Sequence, residues 1–172
     1  MTIKDAVLSN IHSRKSVRDF DKDKAVSKEM LETLLKAAMA APSAVNFQPW
    51  QFVAVTDGKS LNALGNSLPN AKMLPSATAA IAVCGDPAIS ELYWEVDCAA
   101  ATENILLAAE ALGLGAVWTA THPHEDRMQS TRTILNIPSN ILPLNVIAIG
   151  FPKAQEQPKD KFKPEKIHWE MW

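Results

Sequence analysis

Residues Ser90 to Leu112 constrain the fold more than any other stretch. Read as a helix, this segment is apolar nearly all the way round in its second half. Such a helix must be covered on every side, which predicts a central helix with other elements packed around it. Glu103, Asn104 and Glu110 interrupt the apolar run from Cys98 to Leu112. It therefore falls short of the roughly 18 unbroken apolar residues of a membrane span, and no transmembrane segment is expected. Gly113 predicts the end of the helix.

Shorter segments alternate around it. Ile3–Ile11 has near-helical apolar spacing. Ser27–Ala41 is a clearer helix, with Ser27 as N-cap, an apolar stripe through Met30, Leu34 and Ala38, and Pro42 as the stop. Strands are predicted at Gln51–Thr56, Ala79–Cys84, Ala116–Thr119 and Asn145–Gly150. Asp57-Gly58 punctuates the first of these, and further helices are predicted at Ser60–Ser67 and Glu125–Leu135. This alternation predicts α/β or α+β architecture with both sheet faces covered. A length of 172 residues predicts one domain.

The tail from Phe151 to Trp172 stands apart. It holds Pro152, Pro158, Pro164, five lysines, Trp169 and Trp172, without a sustained period. It is too apolar to be left in water and too irregular to form its own core. It therefore wraps its own domain or crosses onto a partner subunit.

Charge and motifs exclude several classes. With 17 basic and 19 acidic residues the net charge is −2, which argues against a nucleic-acid binder. The N-terminus lacks the apolar core of a signal peptide, and Cys84 and Cys98 sit in apolar contexts that suggest buried, reduced thiols. A cytoplasmic location is expected. The six glycines are too scattered for a phosphate-cradling loop, and no nucleophile elbow is present. His122 and His124 lack companions at metal-ligand spacing, which favours a loop role and no metal.

Three groups of residues remain as candidates for chemistry. Arg14-Lys15-Ser16-Val17-Arg18 places three cations and a hydroxyl within five residues, a set suited to phosphate. The alternative is a basic turn paired with Asp19, Asp21 and Asp23. The loop Ala41-Pro42-Ser43-Ala44-Val45-Asn46-Phe47-Gln48-Pro49-Trp50 lies between a helix and a strand, stiffened by its two prolines, with Ser43, Asn46 and Gln48 as its polar groups. Its amides match a heterocycle edge that alternates donors and acceptors; the alternative is a rigid connector. Glu103 and Asn104, on the central helix, read as structural groups bonding nearby backbone, and the glycines after them read as close-packing positions.

In their order along the chain these elements resemble the FMN-dependent nitroreductase family. The resemblance rests on Arg14, Ser16, Arg18 and Phe20; on Pro42, Ser43, Asn46, Gln48, Pro49 and Trp50; on Ala108, Ala109, Leu112 through Gly115, and Trp118; and on Gly150, Pro152 and the tail ending in His168-Trp169 and Trp172. It implies an α+β three-layer sandwich whose mixed, mostly antiparallel sheet is flanked by helices. The core would be residues 1–150, with 151–172 wrapping onto the partner in an intertwined homodimer. FMN would lie at the dimer interface. By motif, Arg14 and Ser16 would hold its phosphate or ribityl chain with Lys15 alongside, and Arg18 would approach the N1/O2 side of the flavin and stabilise its reduced anion. Asn46 would reach the pyrimidine edge from the other subunit, with Pro42, Ser43 and Gln48 near it. Thr119 and Ala120 would present backbone. Lys159 and Lys161 would meet the phosphate, where the family more often has a K-x-R pair.

The resemblance implies ping-pong transfer of hydride from NADPH or NADH to nitroaromatic, quinone or similar small acceptors. No catalytic side chain is needed in that scheme. It leaves room for a non-catalytic FMN-binding protein, or for a member specialised in another flavin reaction such as enone reduction. Only Gly85–Ile89 separates the second strand from the long helix, which predicts an open site.

Overall fold

In the computed structural model, which describes residues 2–154 and 156–172, the apolar run Ala79–Gly85 becomes strand β2, with every residue buried. Around it lie β1 (Trp50–Val55), β3 (Gly115–Ala120) and β4 (Leu142–Gly150). The strand order is β1-β2-β4-β3, and each neighbouring pair is antiparallel. The parallel component of the expected mixed sheet is a single bridge between Ser16 and Ala116.

The helices are α1 (Ile3–Ser13), α2 (Lys28–Met39), α3 (Gly58–Ser67), α4 (Trp94–Ala111) and α5 (Glu125–Leu135). Alternation along the strands divides the core in two, because successive side chains point to opposite faces. Ala79, Ile81, Val83, Ile147 and Ile149 face α2 and α4. Ala80, Ala82, Val146 and Ala148 face the other way, where Leu61 and Leu64 of α3 and the neighbourhood of α5 cover them. This is the α+β three-layer sandwich expected from the resemblance. Helix α4 buries Cys98, Ala101, Ile105 and Ala109, as its composition requires.

Local chemistry sets the element boundaries. Ser27 caps α2 by accepting from the Met30 N–H, as its position predicts. Helix α3 begins at Gly58, two residues before its predicted start, because Asp57 accepts from the Ser60 N–H. Helix α4 starts at Trp94 rather than Ser90. Its last residue is Ala111, and two residues on Gly113 has a φ of +71°, a backbone that a residue free of a Cβ adopts without strain. There the N–H groups of Gly113 and Leu114 bond back to Glu110 and Ala109, closing the helix end. Strand β4 begins three residues early and includes Pro143, which pairs with Cys84 at the point where the register shifts.

Two apolar surfaces stay outside this core. Helix α1 buries none of its residues and leaves Ile3, Val7, Leu8 and Ile11 exposed. The tail leaves Phe162, Trp169 (81% exposed), Met171 and Trp172 (99%) in solvent. Among the described residues, no helix is long and apolar enough to cross a membrane.

Candidate functional site

Helix α1 starts with a reciprocal cap between Thr2 and Asp5 and is tied to α4 by the Asn10 amide, which donates to the Leu107 carbonyl at 3.0 Å. Beyond Ser13 the chain extends into an arm carrying Arg14 to Arg18. The cations do not pair with Asp19, Asp21 or Asp23, as one reading of the sequence expected. Arg14 Nε lies 3.2 Å from Glu103, and Lys15 Nζ lies 3.2 Å from Glu110. Both carboxylates stand on the second half of α4. Glu103 therefore holds a side chain rather than backbone. Asn104 does bond backbone, donating to the Ala37 carbonyl at 2.9 Å.

The arm is seated by its apolar residues. The Val17 N–H donates to the Ala116 carbonyl at 3.0 Å, and Val17 and Phe20 are buried. A Cβ on Gly115 would stand 2.7 Å from a Val17 methyl, and one on Gly150 would stand 2.9 Å from the Phe20 ring. These glycines face each other across β3 and β4 and form the slot into which the arm drops. Ser16 and Arg18 stay exposed. Arg18 makes no ion pair or hydrogen bond among the described residues, which sets it apart from Arg14 and Lys15.

Cavities open along the arm, one of about 320 Å³ beside Lys15, Val17 and Glu110 and two that gather the expected site residues. One of about 560 Å³ gathers Arg14, His12, Lys159 and Lys161 around a single carboxylate, Asp160. The other, about 430 Å³, joins Arg18 to Thr119, Ala120 and Trp118, with Asn70 and Lys72 opposite. Thr119 offers only its backbone there: its side chain is buried and donates to the Val146 carbonyl. Lys72 donates to the carbonyls of Gly65 and Asn66 at the end of α3. Sequence reading missed Lys72, Asn70 and the exposure of Trp118 in this cavity. Their approach to Arg18 depends on chain contacts with no local signature.

The Pro42–Gln48 loop lies elsewhere. Val45, Asn46 and Gln48 have φ of +49°, +58° and +53°, a left-handed backbone unusual for any residue other than glycine and costly for a β-branched valine. Ser43 Oγ accepts from the Gln48 N–H at 3.0 Å, and the Gln48 amide donates to Asn46 Oδ1 at 3.2 Å. Ser43 and Gln48 thus brace the loop. Asn46 is exposed, and its amide nitrogen donates to no group among the described residues. Pro42 sits exposed at the end of α2. Two further bonds tie the loop down: the Ala44 N–H donates to Asp97 of α4 at 3.0 Å, and just past Gln48 the Pro49 carbonyl accepts from the Asp86 N–H at 2.9 Å. Asp97 is a carboxylate set between Val96 and Cys98, and that interruption of an apolar helix was the available signal for it.

The loop leads into β1, one edge of the sheet, while the arm lies on β3, the other edge. Three strand spacings separate them, roughly 14 Å. The loop belongs to the α4 layer. The Arg18 cavity is walled by the segment after α3, in the opposite layer. The expected site residues thus form two groups at opposite edges of the sheet; Arg14 and Lys15 lean on α4, in the loop's own layer, whereas Arg18 lines a cavity walled from the opposite layer.

Elsewhere, His122 Nε2 lies 3.2 Å from Glu95, and its ring meets Trp94 edge-on at 5.0 Å. Burial raises the thiols of Cys84 and Cys98 to about 12. Cys98 Sγ donates to the Cys84 carbonyl at 3.4 Å, and both cysteines are free.

Comparison with known proteins gives this arrangement its context. A protein from Archaeoglobus fulgidus, provisionally named an NADH dehydrogenase/NAD(P)H nitroreductase, is 45% identical over 96% of this chain and 98% of its own length. A crystal structure of a protein from Bacteroides thetaiotaomicron with the same provisional name superposes with a TM-score of 0.94 at 51% identity, covering 97% of this chain and 98% of that one. An FMN-dependent nitroreductase from Clostridium difficile gives 0.90 at 26% identity over 96% and 99% of the two chains. The nitroreductase family profile matches residues 11–88 and 67–151, spanning the arm, the loop and the whole sheet, and the chain is a member of the nitroreductase family.

Proposed function

We propose that this chain is an FMN-dependent NAD(P)H oxidoreductase acting as a homodimer, each site built from the arm of one protomer and the Asn46 loop of the other. The observation that carries this reading is the separation of two groups of polar residues to opposite edges of one sheet. Neither group completes a site alone, and a second copy supplies what each lacks. The bare apolar face of α1 and the exposed aromatic tail point the same way, since both need cover. The tail, residues 151–172, is the segment assigned to the partner's surface, and residues 1–150 form the core.

The residues present fit FMN. The cavity around Arg14, Lys159 and Lys161 has a strong cationic excess, as a phosphate requires, and the exposed Ser16 follows Arg14 by two residues along the arm. Lysine meets phosphate as a point charge, without the arginine fork. The unpaired Arg18, with Lys72 across the cavity, places positive charge where a flat ring could lie against Trp118. Asn46 offers an amide to the pyrimidine edge. Bound FMN would supply the redox chemistry, accepting hydride from NADPH or NADH and passing it, in a separate ping-pong half-reaction, to a nitroaromatic, quinone or related small acceptor.

The chain's own contribution is binding and electrostatics. Arg18 and Lys72 favour negative charge on the bound ring, an effect of the oxyanion-hole type. Thr119 and Ala120 present backbone, and the short Gly85–Ile89 connection leaves the site open to varied acceptors.

The test is the visible spectrum of the purified protein under anaerobic NADPH or NADH, followed by reoxidation with a panel of nitroaromatics and quinones. Bleaching followed by recovery with several acceptors is expected, with sedimentation as a dimer. A flavin spectrum that neither nucleotide bleaches would favour the binding-protein alternative. Failure to take up FMN at all would overturn the reading.

A further inference from the structure

Among the described residues Asp97 is the only charged side chain in the buried set, at 5% exposure. It makes no ion pair there. Burying a carboxylate without a counter-ion is costly, and such groups persist where hydrogen bonds hold them. Asp97 accepts two: from the Ala44 N–H at 3.0 Å and from the Ser90 hydroxyl at 3.4 Å. Its place in the first turn of α4 adds the partial positive charge of a helix start.

The bond to Ala44 carries the significance. Ala44 directly precedes the left-handed pair Val45 and Asn46. From Ser43 to Gln48 the remaining hydrogen bonds are internal; the next outside tie is at Pro49, whose carbonyl accepts from the Asp86 N–H at 2.9 Å. Asn46 and Phe47 donate to the carbonyls of Ser43 and Ala44, and Gln48 donates to Ser43 and Asn46. Internal bonds fix the shape of the turn but not its placement on the molecule. Left-handed backbone at a β-branched residue is strained and persists only when the surroundings over-determine it.

We propose that Asp97 is the positioning residue of the Asn46 half-site: its carboxylate anchors Ala44 to α4 and thereby holds the Val45–Asn46 turn in the conformation that presents Asn46. Asp97 does not itself touch the cofactor. The use of the half-site rests on the reading under Proposed function, whereas the anchoring does not depend on it.

The experiment uses the full-length protein in three forms: Asp97→Ala, Asp97→Asn, and Asp97→Ala combined with Val45→Asn. Amide hydrogen exchange is followed without FMN, and FMN affinity and the visible spectrum are then measured. Asp97→Ala is expected to speed exchange across residues 44–48 at least tenfold, leave the middle of α4 unchanged, and weaken FMN about tenfold, the effect of one lost hydrogen bond. Asp97→Asn keeps an oxygen for the Ala44 N–H and should stay within about threefold of the parent in both measurements. If Asp97→Ala does not fold, Asp97→Asn still decides, because loss of loop protection in that isosteric variant overturns the proposal. Asparagine tolerates left-handed backbone better than valine, so Val45→Asn should recover part of the FMN affinity, which a repair of core packing would not do.

Unchanged loop exchange in Asp97→Ala, or equal acceleration throughout α4, overturns the proposal. A loosened loop with undiminished FMN affinity overturns the link to the cofactor site. A parent protein that binds no FMN yet shows the expected exchange pattern supports the anchoring and defeats the functional reading alone.

Discussion

The Arg14–Arg18 arm and the Ser43–Gln48 loop are held by different means. The arm is extended and seated by shape: Val17 and Phe20 drop against Gly115 and Gly150, and two of its cations lean on Glu103 and Glu110. The loop is tightly turned, left-handed at three positions, and tied to the core by one buried carboxylate. Helix α4 serves both, with Asp97 near its start and Glu103 and Glu110 farther along. Those attachment points span 13 residues, roughly 20 Å of helix. In the proposed dimer, one half-site is placed by packing and the other by a polar anchor. The two devices should fail differently.

The largest break is expected on the packed side. Gly115→Val puts methyl groups into space that Val17 fills, and overpacking of this kind costs about 1–3 kcal/mol. Tm should fall by roughly 3–10 °C. Purified protein should lose its flavin, while hydrogen exchange at the Asn46 loop stays as in the parent. Loop and arm failing together would show that the halves are not independent.

Arg18→Ala comes next. Its guanidinium has no partner among the described residues, so Tm should stay within about 1 °C. Reduction of the flavin by NAD(P)H should slow about 10²-fold, the scale of losing one preorganised charge at a developing anion. Stopped-flow bleaching checks this, and an unchanged rate would remove Arg18 from its assigned role.

The cysteines report on the loop end of α4, since Cys98 adjoins Asp97. Burial raises both thiols to about 12 from an ordinary value of 9.0. The unfolded chain therefore releases these protons at lower pH than the folded one, and stability should fall as pH rises from about 9 toward 12. At pH 8 the native protein should resist a thiol reagent that labels both cysteines once it is unfolded. Rapid native labelling would mean that this end of α4 opens.

The smallest effect belongs to Glu103→Gln. The pair with Arg14 is half open to water on the carboxylate side, so its loss should change stability by at most about 1 kcal/mol. A thermal melt checks this, and a larger drop would mean that the arm depends on charge more than on its glycine slot.

Much of the fold could be read along the chain. β2 is apolar on both faces, α2 carries a stripe and a serine cap, and Gly113 closes α4. Boundaries shifted where a side chain acts at short range, as when Asp57 starts α3 early. The site was legible as composition but not as arrangement. Asp19, Asp21 and Asp23 adjoin the arm in sequence, yet its cations pair with carboxylates about 90 residues away, because α1 packs on α4. Lys72 lines the same cavity as Arg18 through the segment after α3, and Asp97 meets Ala44 across a helix–loop contact. Such meetings are properties of the folded chain and leave no spacing to find.

The placement of arm and loop on opposite edges has a genetic consequence. In the proposed dimer a chain carrying Arg18→Ala still offers a sound loop, and a chain carrying Asn46→Ala still offers a sound arm. When the two are co-expressed or mixed after dissociation, each hybrid molecule has one doubly defective site and one intact site. Random two-fold pairing leaves about a quarter of all sites intact, although neither parent has any. Activity regained on mixing, and absent from each variant alone, would be complementation between subunits, and a site housed within one chain could not produce it.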